Sequence, residues 1–137
     1  YSRFGPQVLG IPGRQLYIYD NEKDYYDDMA RSWFGLSCPK GSWDALRNYE
    51  IIAAGALLLF RDYDKKPPFA SPVNVPAISY STPEELLGIM NHLLVEGEPT
   101  QQYVDILNAQ REWLLNNATE ESVGKYIISI IKEKIST

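Results

Sequence analysis

Short apolar runs alternate along the chain with stretches in which apolar residues recur at helical spacing, the alternation of an α/β protein. Gln15-Leu16-Tyr17-Ile18-Tyr19 reads as a strand, and Asp20-Asn21 after it as the N-cap of a helix from Glu22 to Ser32. In that helix Tyr25, Tyr26, Met29 and Trp33 follow helical spacing, and acidic residues fill the first turn, where the macrodipole favours them. Phe34 to Cys38 has no polar alternation, as a strand covered on both faces requires. Pro39-Lys40-Gly41-Ser42 ends it, a helix runs from Trp43 or Asp44 to Ala54, and Gly55 supplies the left-handed stop. Ala56 to Phe60 is the next apolar strand. The order βαβαβ with short connections predicts a parallel sheet with right-handed crossovers.

Arg61 to Pro76 is a proline-rich loop, and Ala77 to Tyr80 a short fourth strand. Thr82-Pro83-Glu84-Glu85 carries a capping threonine, proline at the first helical position and glutamate at the third, so a helix is expected from there to Val95. Helices over Gln101 to Asn116 and Glu120 to Lys134 follow, the last with Val123, Tyr126, Ile127, Ile130 and Ile131 in one apolar stripe. Residues 1–14, broken by Gly5, Pro6, Gly10, Pro12 and Gly13, read as a linker or docking loop before a single domain over 15–137. The fold class is α/β: a Rossmann-like three-layer domain with a mainly parallel sheet and extra C-terminal helices.

Composition narrows the function classes. The 137 residues can bury roughly two-thirds of the surface of the unfolded chain, so a core needs neither disulfide nor metal. Cys38, the one cysteine, lies in the apolar run Phe34 to Cys38 and reads as a buried structural thiol. A net charge of -5 without clustered Lys or Arg argues against nucleic acid as partner. The longest apolar segment, Ile51 to Phe60, falls short of the roughly 18 residues of a membrane span and is interrupted by Gly55. The chain begins at Tyr1 and is read as part of a longer protein, cytoplasmic or held at a membrane by other parts of it.

Candidate chemistry concentrates after the Phe34 to Cys38 strand, because ligands of open parallel sheets bind beyond the carboxyl ends of the strands. The Lys40 to Trp43 loop precedes a helix N-terminus whose free amides favour an anion. Gly41 allows close backbone approach, Ser42 offers a hydroxyl and Lys40 a point charge. Glu50 stands in the apolar stretch Tyr49 to Ala54, where a carboxylate is buried only if it accepts hydrogen bonds. Two ribose hydroxyls satisfy it; so does an intrahelical pair with Arg47, three residues earlier on the same face.

Three runs, Asp28 to Leu36 (DMARSWFGL), Lys40 to Ile51 (KGSWDALRNYEI), and Ala53-Ala54-Gly55 with Phe60-Arg61-Asp62, resemble the C-terminal domain of GT-B glycosyltransferases, nearest to the exostosin-like and related group. The resemblance covers Leu16 to Leu94. It implies a domain that binds a nucleoside diphosphate sugar for transfer to a glycan or other acceptor held by the chain's own N-terminal domain. It assigns Glu50 to the donor ribose, Lys40, Gly41, Ser42 and Trp43 to the diphosphate, and Arg31 or Arg47 to a second phosphate contact. It favours the ribose role of Glu50 over the Arg47 pair. Two departures stand out. Ser42 occupies the position, eight before Glu50, where retaining members carry glutamate, and Asn48 stands where the closest pattern has histidine.

Asp27, Asp28, Asp62 and Asp64 read as loop or helix-surface carboxylates, so the expected chemistry needs no metal and no cofactor. A helix N-terminus and one or two cations instead stabilise the charge on the departing diphosphate. His92 and Trp113 read as packing or surface residues, Asn117-Ala118-Thr119 as a helix-start signal as much as a glycosylation sequon, and the final helix as one that packs against the N-terminal domain. The alternative of a different class is a non-catalytic, flavodoxin-like regulatory or protein-interaction module. A Rossmann dehydrogenase is disfavoured because no Gly-x-Gly-x-x-Gly follows a strand.

Overall fold

The computed structural model describes residues 19–135, so the linker expected over 1–14 and the strand expected from Gln15 lie outside the described residues except for Tyr19, which is not in a strand. Elements follow in the order α1 (Glu22–Ala30), β1 (Phe34–Ser37), α2 (Leu46–Ala54), β2 (Leu57–Arg61), β3 (Ile78–Tyr80), α3 (Pro83–Leu93), β4 (Leu94–Val95), β5 (Glu98–Pro99), α4 (Gln101–Asn117) and α5 (Glu120–Ile135). Among them β1, β2 and β3 form a parallel sheet in that order, with Phe34 opposite Leu57 and Leu59 opposite Ile78. It is a mixed α/β domain with a parallel sheet and several C-terminal helices.

Strand alternation divides the core. Phe34, Leu36, Leu57 and Leu59 face one side and pack with Leu86 and Leu93 of α3 and Tyr103 of α4. Leu58 and Phe60 face the other, with Met29 of α1 and Ile51 and Ile52 of α2. Helices therefore cover both faces, which is why β1 and most of β2 are buried without polar alternation. Cys38 is buried in the first of these clusters.

Gly35 sets the distance between β1 and α2. A Cβ there meets the Ile51 side chain at 2.4 Å, inside van der Waals contact. Gly35→Ala is expected to cost about 1–3 kcal/mol through overpacking, read as a lower midpoint in urea unfolding, because Ile51 is itself buried and has nowhere to move.

The predicted caps form. The Asn21 and Thr82 side chains accept from the amides of Asp24 and Glu85, and Gly55 closes α2 at φ 88°. Three helix boundaries differ from the sequence reading by two residues or more. Helix α1 ends at Ala30, two residues early, with Arg31 as its cap. Helix α2 starts at Leu46 because Ala45 is extended, while the Ser42 hydroxyl accepts from the Asp44 amide and the Asn48 side chain donates to the Trp43 carbonyl. Helix α3 stops at Leu93 because Leu94 and Val95 pair antiparallel with Pro99 and Glu98. The hairpin turns at Glu96-Gly97, both at positive φ, the backbone a two-residue turn requires.

Helix α4 also completes the sheet. Leu57 turns its N–H to the Trp33 carbonyl on the β1 side, so the polar groups of Leu58 turn to the other edge, where pairing with β3 begins only at Leu59. The fully buried Gln110 side chain takes the vacant place: its Oε1 accepts from Leu58 N at 2.8 Å and its Nε2 donates to the carbonyls of Leu58 and Pro76 at 3.1 and 3.0 Å. One amide side chain thus stands in for a strand residue. Beyond it, α5 contains no fully buried residue and exposes Val123, Tyr126, Ile127, Ile128, Ile131 and Ile135.

Candidate functional site

Beyond the carboxyl end of β1, a cavity of about 390 Å³, a size suited to a small ligand, opens between the β1–α2 loop, α2 and α1. Its lining includes Lys40, Gly41, Ser42, Arg47 and Glu50, together with Tyr25, Ser37, Cys38, Asp44 and Ala45. Five of the seven residues singled out from the sequence thus share one pocket. Trp43 and Arg31 are not among the lining residues. Trp43 is half-buried and stacks on Phe60, with ring centroids 5.9 Å apart. Arg31 is exposed beyond the end of α1 and donates from Nε to the Asp27 carbonyl at 3.0 Å.

The floor is fixed by a buried polar contact. Ser37, the last residue of β1, and Asn48, on the sheet-facing side of α2, are both about 1% exposed and joined Oγ to Oδ1 at 2.5 Å. The Asn48 amide also holds the Trp43 carbonyl at 3.0 Å, so this residue ties the loop to the strand. Around that floor, the start of α2 lies at Leu46, two or three residues later than the sequence reading, and no side chain caps it. Of its leading amides, that of Asn48 donates to the Ala45 carbonyl at 2.9 Å, which leaves those of Leu46 and Arg47 as the ones a ligand could use. At Gly41 a Cβ has no neighbour within 4 Å, so the loop backbone is approachable there.

Glu50 does not pair with Arg47. Its Oε2 accepts from the Tyr25 hydroxyl at 3.1 Å and its Oε1 from the Tyr26 hydroxyl at 2.8 Å, so α1 holds both carboxylate oxygens. Arg47 lies near enough to the Tyr25 hydroxyl for its charge to oppose the effect of Glu50 there. Asp44, which also lines the pocket, accepts from the Tyr49 hydroxyl at 2.6 Å, and Tyr49 stacks on Trp113 of α4. The sequence reading treated Tyr25 and Tyr26 only as helix-spaced apolar positions. The available signal was their adjacency, since neighbours on a helix point about 100° apart and cannot both enter one core.

The phenols register this environment. Burial first, then the charge and hydrogen bond of Glu50, push Tyr25 up to about 12, with Arg47 opposing; Tyr26 also rises to about 12, chiefly through its hydrogen bond to Glu50. Folded-state values above the ordinary tyrosine value of about 10 mean that this contribution to stability is complete below about pH 10. It is lost as pH rises through about 12. Ultraviolet titration of tyrosinate is expected to show this late ionisation, and Glu50→Gln to move part of it to lower pH. An unchanged curve in the variant contradicts the Tyr–Glu contacts.

The chain matches no family model, no curated protein and no solved structure. Two cationic side chains, the start of α2 and a glycine-serine loop can hold a diphosphate, and a carboxylate one turn further along the same helix can accept from a diol.

Proposed function

We propose that this chain is the donor-binding domain of a GT-B glycosyltransferase, of the exostosin-like or related group, and binds a nucleoside diphosphate sugar. The observation that carries the reading is the convergence of Lys40, Gly41, Ser42, Arg47 and Glu50 on one cavity at the carboxyl end of a parallel sheet. On this reading the sheet and its helices are the Rossmann-like C-terminal half of the GT-B fold. The diphosphate lies against the Lys40 to Ser42 loop and the start of α2, Arg47 contacts a phosphate oxygen, and Glu50 accepts from the ribose.

The same arrangement supplies the chemistry of departure. As the sugar–phosphate bond breaks, negative charge grows on the leaving diphosphate, and Lys40, Arg47 and the α2 amides stabilise it as it develops. The acceptor and the base that deprotonates it belong to an N-terminal domain, so this chain alone binds donor without turnover. Calorimetric titration with UDP, GDP, ADP and CMP tests the proposal. Saturable binding of one nucleoside diphosphate, lost in Glu50→Ala, is the expected result; no binding of any at millimolar concentration overturns it. The second reading, a protein-interaction module, draws on the exposed apolar residues of α5 and predicts that same absence of affinity.

A further inference from the structure

A glutamate on a helix surface has several rotamers of similar energy, and a binding carboxylate that must first be ordered loses affinity to that ordering. Glu50 is already ordered from outside its own helix. An ionised carboxylate has about four lone-pair sites, two on each oxygen. The Tyr26 hydroxyl occupies one on Oε1 and the Tyr25 hydroxyl one on Oε2. Among the described residues one site remains on each oxygen, the number that a vicinal diol needs. Tyr25 lines the pocket, whereas Tyr26 is not among the lining residues and reaches Oε1 from an exposed position.

The alternative state of this glutamate is the Arg47 pair that the sequence spacing allows. In the structure the Tyr25 hydroxyl holds one oxygen of the carboxylate instead, and no ion pair joins Glu50 to Arg47. Lys40, Arg47 and Glu50 all line the pocket, so it offers both cations and an acceptor. We propose that Tyr25 and Tyr26 are positioning residues that hold Glu50 as a diol acceptor, and that the site therefore selects ribonucleoside over 2′-deoxyribonucleoside diphosphates. This rests on the donor-domain reading above and names the devices on which its sugar selectivity depends.

The test compares affinities of the ribonucleoside diphosphate that binds, among UDP, GDP and ADP, with those of its 2′-deoxy counterpart and of pyrophosphate, in the wild type, Tyr26→Phe and Tyr25→Phe/Tyr26→Phe. A hydrogen bond to a charged group corresponds to about tenfold or more, so the wild type is expected to prefer the ribonucleotide by that factor. Tyr26→Phe reduces the preference several-fold, the double variant brings it near unity, and pyrophosphate affinity stays unchanged in Tyr26→Phe, because Tyr26 neither lines the pocket nor touches Arg47. Glu50→Gln, which keeps the side-chain shape, gives the same loss and serves as the reference should the double variant not fold. A preference that survives in Tyr26→Phe at its wild-type size overturns the inference, as does equal binding of the two nucleotides by the wild type, which leaves the donor-domain reading standing. Absence of nucleoside diphosphate binding altogether overturns both.

Discussion

Gln110→Met is expected to destabilise the domain by about 2–4 kcal/mol, and Gln110→Ala by about 3–5 kcal/mol. Methionine fills nearly the same volume but makes none of the amide's three hydrogen bonds, leaving the Leu58 N–H without its partner at a fully buried position and the Leu58 and Pro76 carbonyls without the amide's donations. Each buried group so orphaned costs about 1–3 kcal/mol, and alanine adds a cavity. Thermal unfolding followed by circular dichroism checks this, with a Tm lower by roughly 10 °C or more for alanine. A change of a degree or two in both variants shows that water or a shifted β3 replaces the amide at little cost.

Removing both cations of the pocket, with Lys40→Ala/Arg47→Ala, is expected to weaken nucleoside diphosphate binding by about a hundredfold or more. A charge-assisted hydrogen bond to phosphate is worth about 1.5–3 kcal/mol, and two are lost. Stability changes little, since Lys40 is exposed and Arg47 half-buried at the rim of the fold. Calorimetry on the variant and on the wild type at two salt concentrations separates the contributions. The wild type loses affinity as salt rises, and the variant, already without its cations, shows a shallower dependence. Equal affinity in the two proteins removes the diphosphate from this pocket.

The elements legible in the sequence were those with local signals. Thr82, Pro83 and Glu85 mark the start of α3 through hydrogen bonds within one turn, and Gly55 ends α2 because a left-handed residue must. The loop Lys40 to Ser42 and the residues Arg47 and Glu50 were legible as a site because strand end, glycine and helix start follow one another along the chain. What escaped depends on contacts distant in sequence or on short turns. The start of α2 is delayed by the Asn48 side chain reaching the Trp43 carbonyl, a competition that helix propensity does not register. Glu96-Gly97 was a hairpin signal just beyond a helix expected to run to Val95. Gln110 looks like any polar helix residue until β3 is seen to start late, and Tyr25 and Tyr26 look like packing residues until Glu50, 25 and 24 positions away, arrives opposite them.

On the proposed reading a nucleoside diphosphate lies between the β1–α2 loop and Glu50. Mapping amide chemical shifts of the isotope-labelled chain during titration with UDP, GDP and ADP tests it most directly. Saturable shifts confined to Gly41, Ser42, Leu46, Arg47 and the Tyr25–Tyr26 turn, with one nucleotide preferred, are the result this account predicts. Shifts centred elsewhere, or none that saturate at millimolar nucleotide, contradict it.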